Sequence, residues 1–215
     1  MAHGTRTTAL SRERIVEAAV EILDASGESG LTFRTLSAAL KTGAGAIYWH
    51  VANKGELLAA ATDAVIHSAL TDVGGTPAER IRGLAISVFD AVDAHPWVGE
   101  QMSRLAAQPT TLHVFERIGR QIQELGVPAA AQFNSASALL NYILGVAAQN
   151  AALAQSVAEG TDRDDVLTSF SVDTPFLRSV AGELRSHDDR EQFLAGIDLI
   201  LAGIAVSSSG TPQAP

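Results

Sequence analysis

The sequence predicts an all-α chain, a small three-helix unit at the N-terminus followed by a larger helical body. Three observations lead there. Apolar residues recur at intervals of three and four along almost the whole chain, which is the period of one helix face. Capping residues, glycines and prolines punctuate those runs. No alternating strand pattern longer than four residues occurs, and no internal repeat. At 215 residues the chain is long enough to bury a sizeable core.

The elements follow in order. Ile15, Ala18, Ala19, Ile22 and Leu23 form one stripe, with Ser11 placed to cap the helix and Gly27 to end it. Thr32 opens a second helix, Phe33 to about Leu40, with Phe33, Leu36 and Leu40 on one side. A third, Ala44 to about His50, must be short, because Gly43 and Gly45 weaken its start and Asn53 is the next cap. Leu57, Leu58, Ala61, Val65 and Leu70 describe a longer helix from Lys54 to Leu70. Thr76-Pro77-Ala78-Glu79 is a capping box with proline at the first helical position and starts a helix over Ala78 to Ala94. Pro96 opens the next, through about Ala107, and Pro109 and Gly126-Val127-Pro128 bracket one over Thr111 to Leu125. Ala129 to Ala158 is the longest; Gly160 and the acidic TDRDD segment interrupt it. Pro175 to Leu184 and Arg190 to Val206 complete the set. The polar ends, 1–10 and 207–215, are expected to be disordered tails.

Composition narrows the function. With no cysteine, disulfide frameworks, thiolate metal sites and thiol nucleophiles are excluded. The N-terminus lacks the apolar run of ~7 to 15 residues that a secretory signal needs. The most apolar stretch, Ile197 to Val206, contains Asp198 and is far shorter than the ~20 residues that cross a bilayer. A soluble, cytoplasmic protein without membrane contact is therefore expected. The formal charge of -9 speaks against a nucleic-acid partner, but it is unevenly placed. Residues 1–60 hold six bases and six acids, net zero; residues 61–215 hold nine bases and eighteen acids, net -9. The acidity belongs to the body alone.

Only Lys41-Thr42-Gly43 separates the second and third helices. Two short helices joined by so tight a turn have helix-turn-helix geometry, in which the second helix lies in a DNA major groove. That spacing also occurs at packing corners of helical bundles. The residues say more: S-G-L-T-F-R-T-L-S-A-A-L, then A-I-Y-W-H-V-x-N-K-x-E-L-L. Gly30, Leu31, Thr32, Arg34, Leu36 and Leu40, with Ile47, Tyr48, Trp49, His50, Asn53, Lys54, Leu57 and Leu58, closely resemble the N-terminal DNA-binding domain of the TetR family of bacterial transcriptional regulators. The resemblance covers about residues 11–60. It implies a helix-turn-helix domain over 11–58, a connecting helix over 54–70, and an effector-binding and dimerisation domain over 71–206.

Physical roles can be assigned residue by residue. Thr32 caps the second helix, and its N-terminus is also a phosphate site. Arg34, one turn in, reaches a guanine edge or a phosphate. Tyr48, His50 and Lys54 carry hydroxyl, imidazole and ammonium donors for phosphate oxygens. Trp49 is expected in the core. The chain departs from its relatives where the recognition helix begins: Gly43-Ala44-Gly45-Ala46 replaces polar side chains, and Lys41 stands where the turn usually has glycine. Base readout then rests on Arg34, Lys41, Thr42 and Tyr48, with Ala44 and Ala46 against thymine methyls and Gly43 allowing close backbone approach, supplemented by shape readout.

Helix-turn-helix readers work in pairs, about 34 Å apart on a palindromic operator, so a homodimer is expected. By position in the family, the long helix from Ala129 and the last helix from Arg190 form the interface, through Phe133, Leu140, Ile143, Ala147, Phe193, Ile197, Ile200 and Ile204. The resemblance also implies a small-molecule effector in the larger domain and repression relieved by it. Phe89, Trp97, Met102, His113, Phe115, Asn141, Tyr142 and Gln149, the aromatic and polar residues interrupting apolar stripes, are the pocket candidates. No cofactor or metal is expected, and no enzyme: Asp63 and His67 supply only two ligands, and no nucleophile elbow or phosphate loop occurs. A helical scaffold without DNA binding is the remaining alternative.

Overall fold

The computed structural model describes residues 10–71, 74–104, 108–158, 160 and 174–209, and among these every regular element is a helix. Most of the expected N-terminal tail (1–9), the end of the helix expected through Ala107 (105–107), the TDRDD segment and residues 210–215 lie outside the described residues. The chain divides into two compact units, 1–65 and 66–215.

The first unit holds α1 (Arg12–Gly30), α2 (Phe33–Leu40), α3 (Ala44–Tyr48) and most of α4 (Lys54–Ala69). Ser11 caps α1 by accepting from the Arg14 N–H at 3.3 Å. Gly27 sits at φ 62°, so the last turn of α1 resumes after a kink and carries the chain to Gly30. Thr32 and Thr35 form a reciprocal capping box at α2. Asn53 accepts from the Glu56 N–H at 2.9 Å and starts α4. The helices are held by one small core: Ile15, Ala19, Leu23, Leu31, Leu36, Ile47, Val51, Leu57 and Ala61 are all but inaccessible. Each large aliphatic side chain so buried contributes about 1.5–3 kcal/mol. The third helix ends at Tyr48, two residues before the expected His50.

The α2 helix closes on Lys41, whose N–H donates to Ala38 while the Thr42 N–H donates to Ser37. This pairing turns the chain through a left-handed residue, and Lys41 adopts it at φ 52°, ψ 46°. For a residue with a Cβ that conformation costs roughly 1–2 kcal/mol.

The second unit comprises the end of α4, then α5 (Pro77–Ala94), α6 (Pro96–Arg104), α7 (Pro109–Glu124), α8 (Ala129–Ala158), α9 (Pro175–Ser179), α10 (Ala181–Ser186) and α11 (Asp189–Ser209). The segment expected as one helix over 175–184 is split at Val180 into α9 and α10. The last helix runs three residues past the expected Val206. The hub is α8, which packs against α5, α6, α7 and α11. Gly99 lets α6 reach it: a Cβ there would collide with the Ala147 carbonyl and the Val92 side chain. A stack of three rings, Phe89 of α5, Phe193 of α11 and Tyr142 of α8, joins the hub to both neighbours at centroid distances of 5.1 and 5.6 Å. By length and composition α8 is apolar enough to cross a membrane. It is therefore a longer apolar stretch than Ile197 to Val206, which the sequence singled out.

Glu56 ties α4 to α1: its carboxylate accepts from the Ala52 N–H at 2.9 Å and from Arg12 at 3.1 Å. These contacts, the backbone one first, hold it below the ordinary carboxylate range. A carboxylate lowered on folding adds stability above its unfolded pKa and loses it as pH falls through the lower folded value. Glu56→Gln should therefore melt lower than the wild type at neutral pH, and the difference should vanish in acid. Thermal melts across the acid range check this.

Candidate nucleic-acid interface

Charge on the first unit is separated more sharply than its net value suggests. Its acids are Glu13, Glu17, Glu21, Asp24 and Glu28, all on α1, with Glu56 at the start of α4 and Asp63 further along it. Between Leu31 and Gly55 there is no acid at all, against the three bases Arg34, Lys41 and Lys54. Among the described residues, Arg12 and Lys54 sit beside acids of the unit. Arg12 pairs with Glu56, and the Lys54 ammonium donates to the Glu28 carbonyl at 2.6 Å with the Glu28 carboxylate at 3.9 Å. Neither Arg34 nor Lys41 engages an acid among the described residues. Both are exposed, one in the first turn of α2 and one at its end. Among the described residues the helix-turn-helix itself thus carries two cations that pair with no acid.

The recognition helix presents an open start. Gly43, Ala44 and Gly45 are exposed, Thr42 and Ala46 half-buried, and a Cβ at either glycine would meet nothing within 4 Å. Backbone and methyl groups therefore stand free to approach another surface. Ile47 and Val51 face inward and anchor the helix. Tyr48 is half exposed and stacks on Phe33 of α2, ring centroids 4.3 Å apart, which orients its hydroxyl without enclosing it. His50 is half-buried, and Thr32 is exposed at the α2 cap. Arg34, Lys41, Thr42, Gly43, Ala44, Ala46 and Tyr48 thus all belong to one short stretch, α2 and α3 with the turn between them.

Two expectations change. Trp49 is not a core residue: it is 90% exposed. At about 100° per residue it lies some 200° around the helix from Ile47, on the far side of the buried face. Lys54 is not a free phosphate donor in the unbound chain, since its ammonium closes the C-terminal end of α1. There it is a second donor to a carbonyl that also accepts the Leu31 N–H.

The second unit sorts the remaining candidates. Of the pocket set, Phe89, Trp97 and Met102 are buried, while Phe115 and Tyr142 are half-buried. The Tyr142 hydroxyl donates to the Phe193 carbonyl at 3.3 Å, and burial pushes its pKa up. His113, Asn141 and Gln149 lie at the surface of the unit rather than inside it. His113 faces His67 across 6.3 Å. Sequence reading passed over Thr111, which is 1% exposed with a hydroxyl that meets no partner among the described residues. The available signal was its register on α7, three residues before Val114 and seven before Ile118 on the inward stripe. Of the expected interface residues, Ile143, Ala147, Phe193 and Ile197 are spent on the unit's own core, with Ile204 nearly so. Leu140 and Ile200 are half-buried, and only Phe133 is well exposed. The strongest apolar stripe of a helix faces its own core, so stripe strength picked mostly inward-facing residues. Among the described residues no three side chains are grouped to hold a metal.

A two-unit helical chain with a cationic helix-turn-helix is a DNA-binding transcriptional regulator in architecture. Comparison with known proteins fixes which kind. Residues 15–61 match the family described as bacterial regulatory proteins, tetR family, and residues 72–207 match the tetracyclin repressor-like C-terminal domain. The chain belongs to the TetR family. The likeness thus extends well beyond residues 11–60, into the larger domain. A TetR regulator from Streptomyces coelicolor is 48% identical, covers 93% of this chain and 100% of its own, and superposes with a TM-score of 0.79. BioQ of Mycobacterium smegmatis is 29% identical over 92% of this chain and 99% of its own, TM-score 0.72, and BioQ has also been solved with its double-stranded DNA operator. ActR of Streptomyces coelicolor in complex with actinorhodin is 25% identical over 94% and 99%, TM-score 0.75. The protein is a ligand-responsive, DNA-binding transcriptional regulator.

Removing one of the helix-turn-helix cations tests the interface. Arg34→Ala should weaken operator binding by about 1–3 kcal/mol and relax base preference at one position per half-site. Competition binding against operator variants measures both, and unchanged affinity and preference would remove Arg34 from the interface.

Proposed function

We propose that the protein is a repressor that binds a palindromic operator as a homodimer in the cytoplasm, without membrane contact, and is released by a small-molecule effector. The observation that carries this is the acid-free, cationic stretch from Leu31 to Gly55, attached to a body that is net negative. One such reader is a weak binder, because the body repels the duplex. Two held at a fixed separation gain by effective concentration.

The outward faces of α8 and α11 support the dimer. On α8 the exposed positions include Ala138, Asn141, Gly145, Gln149 and Ala152; on α11 they include Ala195, Leu199, Ala202, Gly203 and Val206. Leu199 and Val206 are 76% and 74% exposed, and the small residues around them permit close approach of a second pair of helices. Phe133 flanks the α8 face. We place the partner there rather than on Ile143, Ala147, Phe193 or Ile197.

The effector reading is supported by Thr111 and by what else α7 carries. A buried hydroxyl without a partner costs about 1–3 kcal/mol, and valine would fill the same space without that cost. A ligand oxygen in the body would satisfy it. Two turns further along, Arg117 donates to the Leu70 and Thr71 carbonyls just beyond α4, both at 3.4 Å. Because α4 runs unbroken from Lys54 to Ala69, a shift of α7 has a continuous helix through which to act on the reader. In this account the effector favours an arrangement of the paired readers that no longer fits the operator.

Selection of duplex fragments by the purified protein, followed by mobility shift at low and moderate salt, tests the reading. A single shifted species with dimer stoichiometry, selective for a palindrome and weaker in salt, is expected. A helical scaffold would select nothing.

A further inference from the structure

We propose that Lys41 is a DNA-backbone contact, kept at a strained position because its ammonium neutralises a phosphate. The inference rests on the DNA-binding reading and adds a residue that the family resemblance does not supply, since the turn usually carries glycine there.

Among the described residues Lys41 is the only non-glycine with positive φ; the other four such positions, Gly27, Gly75, Gly126 and Gly160, all carry the residue that bears no penalty. Glycine would close α2 through the same two hydrogen bonds, Lys41 N–H to Ala38 and Thr42 N–H to Ser37, because both use backbone atoms alone. The lysine side chain repays nothing within the chain. It is exposed and forms no ion pair or hydrogen bond among the described residues. A side chain that strains the fold and contributes no contact to it is one whose partner lies outside the chain.

The surroundings say what that partner is. Lys41 stands in the turn that leads into the recognition helix, seven residues after Arg34, in a stretch without an acid from Leu31 to Gly55. The other cation of that stretch, Lys54, is occupied by Glu28. An ammonium on a flexible stem, without the planar fork of arginine, suits a phosphate oxygen rather than a base edge. Lys41 therefore sets affinity and salt sensitivity and, unlike the base-reading role expected of it from the sequence, leaves base preference to other groups.

Three full-length proteins test this: wild type, Lys41→Gly and Lys41→Arg. Each is melted, and each is titrated onto a random-sequence duplex and onto the selected operator between about 50 and 200 mM salt. Lys41→Gly should melt about 2–4 °C higher, the shift expected for relief of such strain in a chain of this size. Its plot of log affinity against log salt should be shallower by about 0.9 per subunit, one phosphate contact each, with the operator's base preference unchanged. Lys41→Arg should keep the wild-type slope and melting point. An unchanged slope in Lys41→Gly, or a slope lost equally in Lys41→Arg, overturns the proposal while leaving DNA binding intact. Failure of the wild type to bind any duplex would overturn the DNA-binding reading itself, and this inference with it.

Discussion

The placement of carboxylates governs what the N-terminal unit can do. Five are on α1, and Glu56 opens α4, where it accepts from the Ala52 N–H and Arg12. Had any of them fallen on α2 or α3, it would have neutralised Arg34 or Lys41 at close range, or met a phosphate at the interface. Instead Glu56 and Glu28 serve the packing of α1 against α4, and the helix-turn-helix keeps its cations. Charge that sums to zero over 60 residues becomes a surface with one sign, which is what binding a polyanion requires.

The same separation clarifies Lys54. Its ammonium joins α4 to the end of α1 through the Glu28 carbonyl, just past the kink at Gly27. In the unbound chain it positions the reader rather than contacting anything outside. At its other end α4 continues into the second unit, and there Arg117 takes up the carbonyls that follow the helix. A cation thus lies on a main-chain carbonyl at each end of α4, at 2.6 Å for Lys54 and 3.4 Å for Arg117.

Much of the architecture was legible because it rests on local chemistry. Ser11, Thr32 and Thr76 cap the helices their types and positions predicted, and proline opens α5 and α7. Trp49 was misplaced because size and apolarity were weighed above register. Ile47 and Val51 already defined the inward face, and Trp49 stands opposite. Four of the residues expected at the interface face inward for a related reason. Ile143, Ala147, Phe193 and Ile197 give α8 and α11 their strongest periodicity, and periodicity reports the chain's own core. The exposed positions Ala138, Gly145, Ala195, Ala202 and Gly203 of the same helices leave little trace in hydropathy. Lys41 was visible as a departure from glycine, but only the dihedral angles show that the departure carries a cost.

The central claim is that α2, α3 and the turn between them form the surface that meets DNA. Hydroxyl-radical footprinting of the protein, with and without its selected operator duplex, addresses it most directly, because Tyr48 at the end of α3 and Trp49 just after it are exposed reporters. Oxidation at both should fall when the duplex is added, while Leu112 and Phe176, also accessible in the second unit, should be unaffected by it. Unaltered oxidation of Tyr48 and Trp49 in a saturated complex would contradict the account.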